Sequence, residues 1–268
     1  MITRRLFLAL AGATGASAAA AGALRADTGA DVPPGAVCRS PIQVADATEG
    51  TAANLTGERA EFDLMEKLGL LEGHLLIGRR LLEANMREAA LPHFGHPAEE
   101  LYTYIQPLIA RRNAPAFADD LAALQRQAQI GAAAPFPALY AAVTTKVEAL
   151  RATIPAELRG SGRFAIGVVA QLMLDIASDY DSAIERGRIA NTVEFHDAMG
   201  FLGYCEALVA ASARGATGAK AQTFRAVQRE IAGAKRAFPA LRPPARPVVT
   251  VAALRGHAAR LADLAKDL

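Results

Sequence analysis

Apolar residues recur at three- and four-residue steps through most of the chain beyond residue 60. Leu64, Leu68, Leu71, Leu75 and Leu82 mark the buried stripe of a helix over 60–84, because that period returns side chains to one helical face. His74, Gly78 and Leu81 flank the stripe. His74 is therefore expected at a core edge, with Gly73 and Gly78 letting a neighbour approach closely. Ala84-Asn85-Met86 is expected to close this helix. Pro92 and Pro97 then bracket His93-Phe94-Gly95-His96, which predicts a break over 91–97 and a new helix from Pro97 to about Ile109. Further periodic stretches predict helices over 116–130, 135–153, 163–213 (interrupted or bent near Gly187), 217–237 and 249–267. The strand candidate at 247–251 is too short and Pro-flanked to stand against them. The expectation is an all-α helical bundle of about seven helices, one domain over 58–268.

Composition agrees with that class. Hydrophobic residues make up 52% of the chain, yet there is no Trp and aromatics are 6%, so alanine carries much of the apolar count and favours close helix packing. Residues 24–57 are rich in Gly, Pro, Thr and Ala and read as an extended lead-in. Residues 1–23 read as an export signal: Arg4-Arg5-Leu6-Phe7-Leu8, an Ala/Gly-rich apolar run and an Ala21-Gly22-Ala23 cleavage site. The arginine pair resembles the twin-arginine address, which implies export in the folded state. A soluble periplasmic protein is then expected after cleavage. Cys38 and Cys205 are the two cysteines, and in an oxidising compartment they form either one disulfide or two buried thiols.

Charge changes the picture along the chain. From residue 211 onward eleven Lys/Arg face three Asp/Glu, a net of +8, while 24–210 carries a net of −8. An acidic body with a basic tail argues against general nucleic-acid binding. The tail either pairs with the body or faces an anionic partner. Serine-nucleophile elbows, phosphate-binding glycine loops and CxxC pairs are all missing from the sequence.

The chemistry that remains is metal binding. His74, His93 and His96 fall within one window, and Glu99 and Glu100 follow directly. His93, His96 and Glu99 are spaced by three, and imidazole with carboxylate suits Fe, Cu, Zn or Mn. Glu194 and Asp197 share a helical stripe with Phe201, Tyr204 and Leu208, and His196 lies between them. Carboxylates on an apolar stripe are costly unless paired or bound to a cation. Arg79, Arg80, Arg186 and Arg188 are the alternative partners. Asp175, Ser178, Ser182 and Glu185 form a second polar face.

Gly95-His96-Pro97-Ala98-Glu99 resembles the G-x-H-x-x-E motif of imelysin-type and related periplasmic iron-uptake bundles, one residue shorter between Gly and His. The resemblance implies a metal-binding or uptake role with His96 and Glu99 as ligands. The expected function is binding of a transition-metal ion, iron or copper favoured and zinc next, with a membrane-associated uptake partner. His93 and His96 are the primary ligands, completed by His74, Glu99 or Glu100, and one of Glu194, His196 or Asp197. A helical interaction module using the basic tail and a metal-dependent enzyme are the competing readings.

Overall fold

The computed structural model describes residues 55–268. The leader over 1–23, the lead-in as far as residue 54 and Cys38 lie outside the described residues. Cys205 is a buried free thiol.

The chain is all-α. Helix α1 spans Gly57–Glu83 and ends as expected, where Asn85 takes φ 60° and the Met86 N–H donates to Leu81 O at 2.8 Å. Asn is among the residues that tolerate this left-handed position beyond a helix end. Two short helices follow, α2 (Arg87–Ala90) and α3 (Pro92–His96), then a π-turn over Pro97–Leu101 and α4 (Tyr102–Arg111). After them come α5 (Ala118–Ala128), α6 (Phe136–Arg151) and α7 (Ala156–Arg159). Helices α8 (Gly162–Ser182), α9 (Thr192–Ser212), α10 (Gly218–Lys235) and α11 (Val251–Ala265) complete the chain.

One expectation needs correction. The break over 91–97 is not a break: backbone angles stay helical from Leu91 through Pro97. Pro92 sits in the first turn of α3, where its missing N–H costs nothing. Pro97 opens the π-turn, whose wider i→i+5 bonding absorbs one extra residue without ending the helical path. The interruption expected near Gly187 divides 163–213 into two helices, α8 and α9. Ile184–Glu185 pairs antiparallel with Arg188–Ile189 across a two-residue turn in which Arg186 has φ 51° and Gly187 φ 75°. Two successive positive φ values are what a type I′ hairpin requires. Residues 247–250 form no strand.

Helices α8, α9, α10 and α11 pack in a ring, α8 on α9, α9 on α10, α10 on α11 and α11 on α8, and α1 lies against α9 and α8. Glycines set the closeness of that last contact. A Cβ on Gly200 of α9 would lie 2.3 Å from Gly73 O, and one on Gly73 would lie 2.9 Å from Phe201 N. On the same helix a Cβ at Gly78 would meet the Phe94 ring at 2.9 Å and His93 Cβ at 3.2 Å. Thus α1 receives α9 at Gly73 and α3 at Gly78, and His74 sits between the two crossings.

The basic tail does pair with the acidic body in part. Lys235 reaches Glu206 at 2.7 Å and Arg255 reaches Asp181 at 3.4 Å. Both pairs are exposed, so each contributes only a fraction of 1 kcal/mol, on the order of what surface pairs give.

Candidate metal centre

Four side chains converge where α1, α3 and α9 meet: His74, His93, His96 and Asp197, each offering one ligand atom with all four atoms within 4.8 Å of one another. His74 Nδ1 lies 2.6 Å and His93 Nδ1 2.7 Å from the same oxygen, Asp197 Oδ1, and His96 Nδ1 lies 3.7 Å from Oδ2. The His93 contact has hydrogen-bonding geometry. The His74 contact is as short but lacks it, and His74 Nδ1, His96 Nδ1 and His93 Nε2 are buried atoms without a hydrogen-bond partner. Two imidazole nitrogens crowding one carboxylate oxygen, with spare lone pairs left over, is the donor arrangement that a single cation would satisfy; donors about 2.0–2.2 Å from a common ion sit roughly 3 Å apart. Three nitrogens and a carboxylate suit Fe(II), Cu(II) or Zn(II).

The local fold explains how they meet. α3 is a single helical turn, so His93 and His96 share its face, and their ring centroids are 6.2 Å apart. The π-turn that follows changes the register. Glu99, which would follow His96 on an α-helical face, is exposed, and its carboxylate lies 3.5 Å from where a Gly95 Cβ would be. Glu100 is half-buried, and neither glutamate belongs to the four-residue group. On α9, Glu194 and His196 are buried but also outside it. His196 Nε2 donates to Leu241 O at 2.8 Å, tying the Pro-rich link to α9, and its ring stands edge-on to His93 at 5.7 Å. Arg79 pairs with Glu83 at 2.8 Å, and Arg80, Arg186 and Arg188 are exposed, so these arginines take no part.

Electrostatics follow from burial. Burial opposes the charge on Asp197, yet His74 and His93 outweigh it and hold its carboxyl well below the usual range. Burial, reinforced by His74 and His93, pushes the His96 imidazole down to about 4 against the pull of Asp197. Burial, and then His93, brings His196 down to about 4 as well. These imidazoles are neutral at neutral pH, the form that coordinates metals.

Two acids behind the centre run the other way. Burial and then Glu66 raise Asp175 to about 7. Burial, followed by the like charges of Asp197, Glu194, Asp175 and Glu100, pushes Asp179 well above the usual range. Asp179 lies one turn beyond Asp175 on α8, and sequence reading did not single it out, although that i,i+4 spacing was its available signal.

The two sets give opposite pH dependences in metal-free protein. The lowered histidines contribute stability that is complete above their unfolded value of 6.5 and lost as pH falls toward 4. The raised aspartates impose a cost that appears as pH rises above 3.8 and, for Asp175, is full near 7. Asp175→Asn with Asp179→Asn removes only the second set. Thermal unfolding in chelator should show variant and wild type close together near pH 4, and the variant more stable at pH 7 by on the order of 2 kcal/mol. A difference that does not grow with pH would contradict the assignment.

Residues 155–268 match the profile of the iron permease-associated 4-helix bundle domain. That span holds the ring α8–α11 and covers less than half of the chain. It supports a likeness to iron-uptake helical bundles. Asp197 lies inside it; His74, His93 and His96 lie outside. No curated protein and no solved structure matches.

Proposed function

We propose that this chain is an exported protein that binds a transition-metal ion, iron ahead of copper and zinc, and hands it to a membrane-associated uptake partner. The observation that carries the reading is the convergence of His74, His93 and His96 on buried Asp197, with imidazole nitrogens left without a hydrogen-bond partner. The iron permease-associated profile puts iron first. The twin-arginine-like leader supports export to the periplasm, and folded export would allow the ion to be loaded beforehand.

Metal content decides it. Protein purified without chelator should carry near-stoichiometric iron or copper by plasma mass spectrometry, and His93→Ala with His96→Ala should carry none while retaining its helical circular dichroism. Wild type devoid of metal, and taking up none on titration with Fe(II), Cu(II) or Zn(II), would overturn the reading.

A further inference from the structure

We propose that Glu66, Asp175 and Asp179 form a carboxylate route by which a divalent transition-metal ion reaches the histidine–aspartate centre from the surface beside Lys67. The inference rests on the metal-binding reading above and adds how the buried site is filled.

The centre is nearly closed to solvent: His93 and Asp197 have no exposed side-chain surface, His74 retains 4%, and His96, the most open of the four, 12%. A hydrated cation cannot cross an apolar wall unaided, because stripping its water without replacing the oxygen ligands costs far more than a fold can supply. Carboxylates spaced along a path replace that water step by step.

Burial along the proposed path is graded. Whole-residue exposure is 9% at Glu66, 8% at Asp175 and 1% at Asp179, and Asp197 is fully buried. Glu66 and His74 are eight residues apart on α1, about 12 Å along its axis and at four-residue steps on one face. Asp175 and Asp179 are four residues apart on α8, about 6 Å along its axis, and α8 packs against both α1 and α9. Charge contacts link the steps: Asp175 feels Glu66, and Asp179 feels Asp197 before Asp175.

The deciding detail is that Oδ2 of Asp175 and Oδ2 of Asp179 are both buried without a hydrogen-bond partner. Side chains kept only for packing would not leave such oxygens bare, since each costs about 1–3 kcal/mol. An oxygen that accepts a passing cation would stand bare between ions. Lys67 stands at the outer end, 2.9 Å from Glu66 and 4.0 Å from Asp63. It neutralises the mouth between ions and must swing aside for one to enter.

Opposite-sign variants test the route. Chelator-stripped full-length protein is mixed with Co(II) in a stopped-flow instrument, and loading is followed by the visible ligand-field band. Asp175→Asn with Asp179→Asn should slow loading about tenfold or more, because an amide cannot release a proton to become an anionic ligand for an arriving cation as a carboxyl can. Release should slow as well, leaving the equilibrium affinity within a few-fold. Lys67→Gln should quicken loading. If the double variant does not fold, Glu66→Gln serves, with slowing again expected. Wild type that loads Co(II) beside variants that load equally fast would overturn the route and leave the metal centre standing. Wild type that takes up no Co(II) would remove both.

Discussion

Asp197→Ala is expected to be the most damaging single change at the centre, lowering metal affinity by at least about a hundredfold, more than loss of a merely orienting partner. Asp197 is the one carboxylate among the four converging donors, and both His74 and His93 lie within 2.7 Å of it. Its loss strands imidazole nitrogens from two helices in a largely buried site, each unsatisfied group costing about 1–3 kcal/mol. The metal-free variant should therefore also melt earlier than wild type. Isothermal titration with Zn(II), beside thermal unfolding in chelator, reads both effects. Retained affinity would mean that the histidines bind alone and Asp197 only orients them. Asp197→Asn separates shape from charge: it keeps the volume but lacks the anion that stabilises a bound cation.

Gly200→Ala is expected to be nearly as severe although it touches no donor. The new methyl would lie 2.3 Å from Gly73 O and 2.9 Å from Ile77 Cγ2, and a backbone oxygen cannot rotate away as a side chain can. Relief requires α9 and α1 to move apart, at a cost of about 3 kcal/mol, the upper part of the range for overpacking. For a chain of this size that lowers the melting temperature by about 5–10 °C. Because His74 follows Gly73 directly and Asp197 lies one turn before Gly200, the same displacement should weaken metal binding. Gly256→Ala is the control: its Cβ would meet only the mobile end of Arg260, and little change is expected. Equal stability of both variants would show that the crossing can yield.

Much of the fold was legible because it rests on periodicity. The leucine stripe of α1, the Asn85 stop and the Pro-rich link before α11 can all be read directly along the chain. The hairpin at 184–189 was hidden because its signal is two backbone angles, and in sequence Arg186-Gly187 looks like any bend between helices. At the centre the histidine cluster was visible as density of donor types. Its completion was not, because the π-turn at Pro97–Leu101 shifts the helical register by one residue, and one residue is about 100° of rotation. That rotation separates Glu99 from His96 even though their spacing is that of neighbours. Along α9 the stripe containing Phe201 and Tyr204 pointed equally to Glu194 and Asp197. The difference arises from which turn stands level with Gly73 on α1, a tertiary fact with no local trace. His196 illustrates the same limit: its neighbour Asp197 faces the histidines while its own ring turns to Leu241.

The donors come from distant parts of the chain, and His93 and Asp197 are separated by 104 residues. An ion held by both would act as a removable cross-link. A covalent bridge closing a loop of that length withdraws about 4–5 kcal/mol of freedom from the unfolded chain, and a coordinated ion that stays bound only in the folded state stabilises by the same logic of linkage. Loading would then stiffen the clamp between the hairpin α1–α3 and the ring α8–α11, and release would slacken it. On the proposed function, such a protein would signal its cargo through its own rigidity, and a receiving partner could distinguish a full protein from a spent one without touching the ion.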